Sequence, residues 1–308
     1  MAWFVCACPP MVTELQVTHA PMPSPDRNLI IVHTPRKQAL SDFLTVQTKM
    51  ADRAPDIAVF IVENGAEDAE VRAAAAGLPT VVFSPMGLVA FLPARGRVFA
   101  GQAAMTKSEQ VRRLAAAGIS VPETAAIAPG TRLDPDRCGP VVVVKPEIGK
   151  RGDGVRLMRT GDVRFVDPQS WPEDDPRRGQ TLIAQRFIDT GPHVASYRVM
   201  TVFGRPVYSI VTTQNEERGN LDLSGAAPLD LPWQAIPEVA VHGVDVVREA
   251  ATRRLYVLEV NPSGQTWHIS SDYGSPTRRE FNLDLNGQFG ALDIIADALI
   301  DVTRREAE

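Results

Sequence analysis

The chain has 308 residues, 44% of them hydrophobic, and its 32 basic and 37 acidic side chains leave a net charge of -5. That length and apolar content support a sizeable core divided over two or three compact units. The acidic balance offers no basic face for nucleic acid, and no apolar run approaches the roughly 20 residues that cross a membrane, so neither partner is expected.

Residues 1–26 are rich in Pro and Met without periodicity and are expected to form a flexible tail. The opening stretch lacks a basic segment and carries Pro9 and Pro10, which argues against a secretory signal. Cys6 and Cys8 have no His or Cys partner at metal-site spacing, and Cys138 stands alone in a Pro/Asp-rich loop. Three unpatterned cysteines fit a reducing, cytoplasmic setting.

From Asn28 onward the pattern alternates. A strand is predicted over 29–32, and Ala39, Leu40, Phe43, Val46 and Met50 form a helical stripe within 36–50. A strand over 57–62, an alanine-rich helix over 67–76 ending at Gly77 and a strand over 80–83 follow. Such alternation predicts a small parallel α/β domain, placed here at 27–104. Thr106-Lys107-Ser108-Glu109 has the form of a capping box, with Val111, Leu114 and Ala115 on one face of the helix and Gly118 ending it. Residues 119–122 lead into extended chain, and 141–158 is a strand, a glycine-rich loop and a strand. The Pro/Asp/Arg-rich stretch 167–180 looks like an inserted loop. Strands are expected over 181–188, over 197–203 and 207–211 as a hairpin around Gly204-Arg205, and over 239–249 and 255–260 as a hairpin turning at 251–254. Leu292, Ile295, Ala296 and Leu299 mark one face of a final helix. There is no internal repeat.

Two of these segments carry chemistry. The apolar run 255–258 leads into Glu259-Val260-Asn261, and strand residues two apart share a face, so a carboxylate and an amide oxygen are presented together. Hard oxygen donors of this kind suit Mg²⁺, which completes its shell with water and substrate phosphates. The four valines 141–144 end at Lys145-Pro146 and are followed by Gly149-Lys150-Arg151-Gly152-Asp153-Gly154. Cation, glycine loop and oxygen donors together point to an ATP·Mg site. Lysine usage agrees: of only five lysines, three (Lys107, Lys145, Lys150) fall in the segments expected to contact nucleotide. The phosphate-binding Gly-x-x-x-x-Gly-Lys-Ser/Thr and the dinucleotide Gly-x-Gly-x-x-Gly are both missing, so the site is built another way.

The order of motifs is more specific than any one of them. A capped helix with Lys107, Gly118-Ile119-x-Val121-Pro122, Lys145-Pro146 with its glycine loop, Gln185-x-Phe187-Ile188, Tyr197-Arg198, Gly243-Val244-Asp245 and Glu259-Val260-Asn261-Pro262 follow one another. Over roughly 105–300 the chain resembles the ATP-grasp superfamily. It is most like the branch of ribosomal-protein glutamate ligases, with D-alanine–D-alanine ligases and glutathione synthetases further off. The resemblance implies two lobes clasping ATP, here 105–180 and 181–304, behind a small Rossmann-like parallel α/β domain. It also implies a carboxylate–amine ligase that works through an acyl phosphate with ATP and Mg²⁺ or Mn²⁺. The substrate would be a small molecule, an amino acid or a peptide, and a homo-oligomer is compatible with it.

Residue by residue, Lys107 and Lys145 match the phosphate-contacting lysines, and Gly149, Lys150, Gly152 and Gly154 match the flap over the triphosphate. Gln185, Arg186, Phe187 and Ile188 match the inter-lobe hinge whose backbone reads adenine. Asp245, Glu259 and Asn261 match the metal positions. Arg218 and Asn220 resemble an Arg-Ser-Asn stretch near the γ-phosphate, and Arg198 matches a basic residue facing the same centre. There are departures. Arg186 stands where Glu is common and Ser196 where an acidic residue is common, leaving Asp189 as a candidate ribose contact. Each assignment has a plainer counterpart. Lys145 could be an ordinary strand-end lysine, Lys107 a solvated residue opposing its helix dipole, Asp245 a turn-facing carboxylate, and Arg198 and Arg218 surface charges. His268 touches substrate or is structurally satisfied, Trp233 and Trp267 are core residues by default, and Arg278 or Arg279 could clamp a carboxylate beside the acceptor stretch 263–271. Two other activities share such a pocket: an ATP-dependent kinase acting on a hydroxyl, and a nucleotide-binding module without turnover.

Overall fold

The computed structural model describes residues 24–88, 95–101, 105–149, 152–192, 194–214, 221–222, 241–262 and 290–307. The apolar run of the first strand, β1 (Arg27–His33), is buried on both faces: Leu29 and Ile31 pack to one side, Ile30 and Val32 to the other. That is how a central strand of a parallel sheet is composed. Around it lie α1 (Leu40–Arg53), β2 (Ile57–Glu63), α2 (Ala69–Gly77), β3 (Thr80–Ser84) and β4 (Gly96–Ala100). The strand order is β2-β1-β3-β4, all parallel. Phe43, Val46 and Met50 of α1 cover one face, and Val71 and Ala75 of α2 cover the other. Helix α2 starts two residues later than its composition predicts, because Asp68 is its cap and accepts from the backbone N–H of Glu70 and Val71 at 3.0 and 3.1 Å.

A second, antiparallel sheet has the order β5-β8-β6-β7, from β5 (Thr124–Ile127), β6 (Val141–Pro146), β7 (Arg156–Arg159) and β8 (Leu182–Arg186). A third, also antiparallel, has the order β11-β10-β9-β12-β13, from β9 (Val194–Val202), β10 (Arg205–Gln214), β11 (Leu221–Asp222), β12 (Val241–Arg248) and β13 (Leu255–Pro262). Strand β8, just after the expected division at residue 180, pairs with β5 and β6 and completes the second sheet. The turn between β9 and β10 is also shifted by one residue: Phe203 and Gly204 take φ of 45° and 76°. Phe203 accepts that strain at the turn while its ring packs edge-on against Phe99, with centroids 5.1 Å apart.

Two helices cross between these units. In α3 (Lys107–Ala116), Leu114 packs against Val199, Val244, Val246, Val257 and Val260 of the third sheet, and Gln110 Oε1 accepts the N–H of Val260 at 2.9 Å. Thr106 caps this helix, but Glu109 turns outward to Arg112 and Arg113 instead of closing the capping box. The other follows α4, a single turn at Pro135–Cys138, and is α5 (Ala291–Glu306). Leu292, Ile295, Ala296 and Leu299 are buried as their spacing predicts, in a core shared with α1, the parallel sheet and Met200, Val202, Val207 and Tyr208 of the third sheet. Lys49–Asp293 at 2.8 Å and Arg304–Asp56 at 2.6 Å tie this helix to the N-terminal unit. No helix among the described residues is long and apolar enough to cross a membrane.

Candidate active site

Five elements deliver charged side chains to one cleft between the second and third sheets. Strand β6 ends in Lys145, whose neighbours in the chain are apolar, so the ammonium is carried to the sheet's end with only 7% of the residue exposed. Its Nζ donates to Gln185 Oε1 at 2.9 Å, and Gln185 in turn donates to Thr124 Oγ1 at 3.2 Å. Burial brings the Lys145 ammonium down from its ordinary 10.5 to about 8, with Glu259 opposing that drop and Lys107 adding to it. Lys107 opens α3, equally buried at 7%. Its Nζ lies 3.4 Å from the Gly149 carbonyl and 3.8 Å from Glu259 Oε2.

A cation at a helix N-terminus is unfavourable by itself, and Glu147 offsets it. Its carboxylate accepts from the Ser108 N–H at 3.0 Å and from the Ser108 hydroxyl, while its carbonyl accepts the Lys107 N–H at 3.2 Å. Glu147, two residues beyond Lys145, therefore pins the start of α3 to the end of β6. Sequence reasoning missed it, although an acid beside a strand-end lysine and a facing Ser108 were both visible.

Three neighbouring strands supply the opposite wall. Arg198, Asp245 and Glu259 occupy successive register positions on β9, β12 and β13. Arg198 donates to both Asp245 oxygens, at 2.8 and 2.9 Å, and Asn261 Nδ2 donates to Asp245 Oδ2 at 3.2 Å. The Asp245 carboxylate holds the Arg198 guanidinium firmly in its charged form. A bulge follows this row: Asp245 pairs with Glu259 but Val246 with Val257, leaving Leu258 as the extra residue. Leu258 and Glu259 consequently both face the cleft, where strict alternation would turn one of them away.

The cleft holds about 590 Å³. Lys107, Lys145, Arg198, Asp245 and Glu259 form its polar part, and Val143, Val155, Val247, Leu258, Phe187 and Ile188 line the rest. Gly149, Gly152, Gln185 and Arg186 also border it, so most of the expected positions are gathered here. Two lie just outside. Gly154, at φ 73°, packs against Pro146 and Arg177, and Asn261 reaches the site only through Asp245. Asp189, the candidate ribose contact, lies between the cleft-lining Ile188 and Thr190 without lining it, and its carboxylate accepts the Gly191 N–H at 2.8 Å. Thr190 and Ser196 border the cleft instead, as does Asp153. Lys150, Arg218, Asn220, His268, Trp233, Trp267, Arg278, Arg279 and the stretch 263–271 lie outside the described residues.

The residues present fit a hard divalent cation. Asp245 and Glu259 face each other across a strand pair, with the Asn261 amide beside them and two buried lysines opposite. Among the described residues no three His, Cys, Asp or Glu side chains are grouped so as to hold a metal ion by themselves, so an ion here would draw the rest of its shell from water and phosphate. Arg198 already occupies both Asp245 oxygens, so Glu259 is the readier donor. Cys138, buried under β6, is remote from this chemistry, and burial raises its thiol pKa.

No protein-family profile matches the chain, and no curated protein does either. Solved structures similar to it include a RimK domain protein ATP-grasp from Sphaerobacter thermophilus, with 13% identity over 90% of this chain and 99% of that one at a TM-score of 0.46. A D-alanine–D-alanine ligase from Bacillus anthracis complexed with ATP has 13% identity over 91% and 99% at 0.42, and the macrocyclase MdnB from Microcystis aeruginosa has 15% over 89% and 99% at 0.44. The chain is a mixed α/β protein, one parallel sheet followed by two antiparallel sheets that enclose a cleft, and a protein titled ATP-grasp is among the structures it is similar to.

Proposed function

We propose that the chain is an ATP-dependent carboxylate–amine ligase. The observation that carries this reading is the convergence of Lys107, Lys145, Arg198, Asp245 and Glu259, from five separate elements, on one cleft with an apolar side. A cationic end beside an apolar slot suits a triphosphate attached to a flat base, and the ordered motifs of 105–300 support the same assignment.

In this reading Lys107 and Lys145 neutralise phosphate oxygens, and Arg198 balances charge on the transferred group. Glu259, with Asp245 and Asn261, would hold Mg²⁺, which when bound screens the phosphates and orients them. A substrate carboxylate oxygen attacks the γ-phosphorus, the bond to the bridging oxygen breaks, and ADP leaves. An amine then attacks the acyl carbon, loses a proton and expels phosphate, so that an amide is formed. Gly149 and Gly152 border the cleft, and in this reading their loop keeps water from the acyl phosphate. The carboxylate is taken to be that of a small molecule, an amino acid or a peptide.

Hydroxylamine trapping tests the proposal. With ATP, Mg²⁺, hydroxylamine and a panel of carboxylates, ADP release should depend on one of the carboxylates and be matched by hydroxamate. Glu259→Ala should lower that turnover by at least about a hundredfold with an unchanged circular dichroism spectrum. A stable phosphoester in place of hydroxamate identifies a kinase, and ATP binding without any substrate-dependent ADP release identifies a binding module. Either result rejects the ligase.

A further inference from the structure

Arg186 departs from the pattern the chain otherwise follows, and its surroundings assign it a role. Among the described residues, the two sheets that flank the cleft share no strand pairing. At the hinge end, the chain leaves β8 through Arg186, Phe187 and Ile188, all bordering the cleft. Arg186 is fixed at its base: its N–H donates to the Glu123 carbonyl at 2.8 Å, and its side-chain stem lies beside Gly139. From there its guanidinium reaches to the third sheet and donates to Glu249 Oε1 at 2.8 Å.

Glu249 is an equally firm partner. It is buried, its second oxygen accepts from the Thr252 hydroxyl at 2.5 Å, and its own N–H and carbonyl close the turn after β12 through Arg254 and Arg253, both at 2.9 Å. One backbone bond, Ala250 N–H to the Asp189 carbonyl at 2.8 Å, runs beside the ion pair. Val143 and Val155 of one wall face Val247 and Leu258 of the other across this end of the cleft. We infer that Arg186 and Glu249 form a clamp that fixes the spacing of these two apolar walls, and so the width of the slot for a nucleotide base. Removing either partner leaves a buried or cleft-facing charge without its counterion, which draws in water and lets the walls part. The phosphate end, held by Lys107 and Lys145 on other elements, is not part of the clamp.

This inference rests on the nucleotide reading of the cleft, and the test separates the two. Calorimetry would compare Mg²⁺·AMP-PNP with Mg²⁺·tripolyphosphate, which has no base. Arg186→Met and Glu249→Gln should weaken AMP-PNP by about tenfold or more, equivalent to about 1.4 kcal/mol, and tripolyphosphate by less than about twofold. Arg186→Lys, which keeps the charge, should stay within about threefold of the unaltered protein. Hydrogen exchange in peptides covering 187–192 and 249–254, measured without ligand, should quicken in the first two variants and not in the third. Equal loss for both ligands, or unchanged affinity and exchange, overturns the clamp. Failure of the unaltered protein to bind AMP-PNP overturns the nucleotide reading instead, and the exchange data then decide the clamp alone.

Discussion

Lys145 shows what burial does to a single charged group. Its ammonium titrates at about 8 rather than 10.5, so in the free protein it loses its proton as pH rises through about 8. Phosphate oxygens favour the charged form, so nucleotide binding above that pH must take up a proton. Affinity for Mg²⁺·AMP-PNP should therefore fall between pH 8 and 9, by up to about tenfold per unit, and calorimetry at pH 7, 8 and 9 checks it. Lys145→Gln should bind weakly at all three values and lose most of this slope. Lys145 and Glu259 were legible in the sequence because a charge at the end of an apolar strand stands out from its surroundings. The bidentate grip of Arg198 on Asp245, and the Arg186–Glu249 pair, were not: they join residues 47 and 63 positions apart, and nothing local marks such partners.

At the level of elements, the long apolar runs that became β1, β3 and β6 were legible, because burial on both faces writes a continuous hydrophobic stretch. Strands β4 and β5 were not: Gly96-Arg97-Val98-Phe99-Ala100 has an apolar run of only three residues, and Thr124–Ile127 is rich in small residues. The bulge at Leu258 was also invisible, since it is a property of pairing with β12 and not of β13 alone. The stretch 167–180, expected as a plain insertion, folds around a buried Arg177 that stacks 3.6 Å from the Trp171 ring centre and pairs with Asp175. It supports both ends of the glycine loop. Gln180 Oε1 accepts the Ile148 N–H at 2.9 Å, and a Cβ on Gly154 would come within 3.1 Å of Arg177 Cγ. Gly154 also has φ 73°, where a side chain is strained. Gly154→Ala should cost about 1–2 kcal/mol, visible as a lower denaturant midpoint. An unchanged midpoint would show that this support is slack.

For the whole molecule, the shared core of α1, α5, the parallel sheet and the β9–β10 hairpin matters most. Leu299, 1% exposed, stands among all four. Leu299→Ala should destabilise by about 2–5 kcal/mol, and protection from hydrogen exchange should drop together in peptides covering 28–33 and 199–202. A drop in only one of them would mean that the two sheets unfold independently. The parallel α/β unit was legible from the alternation of strands and helices, but its packing against later segments was not, because contacts between distant segments leave no period in a sequence. The helix that closes this core also follows β1 and α1 only after the two antiparallel sheets have been made. At roughly 5–20 residues per second, the face carrying Leu29 and Ile31 waits on the order of tens of seconds for Leu292 and Ile295 to emerge. During that interval the nascent chain presents an incomplete greasy surface, covered in part by α1 and later by the β9–β10 hairpin, of the kind that holdase chaperones bind.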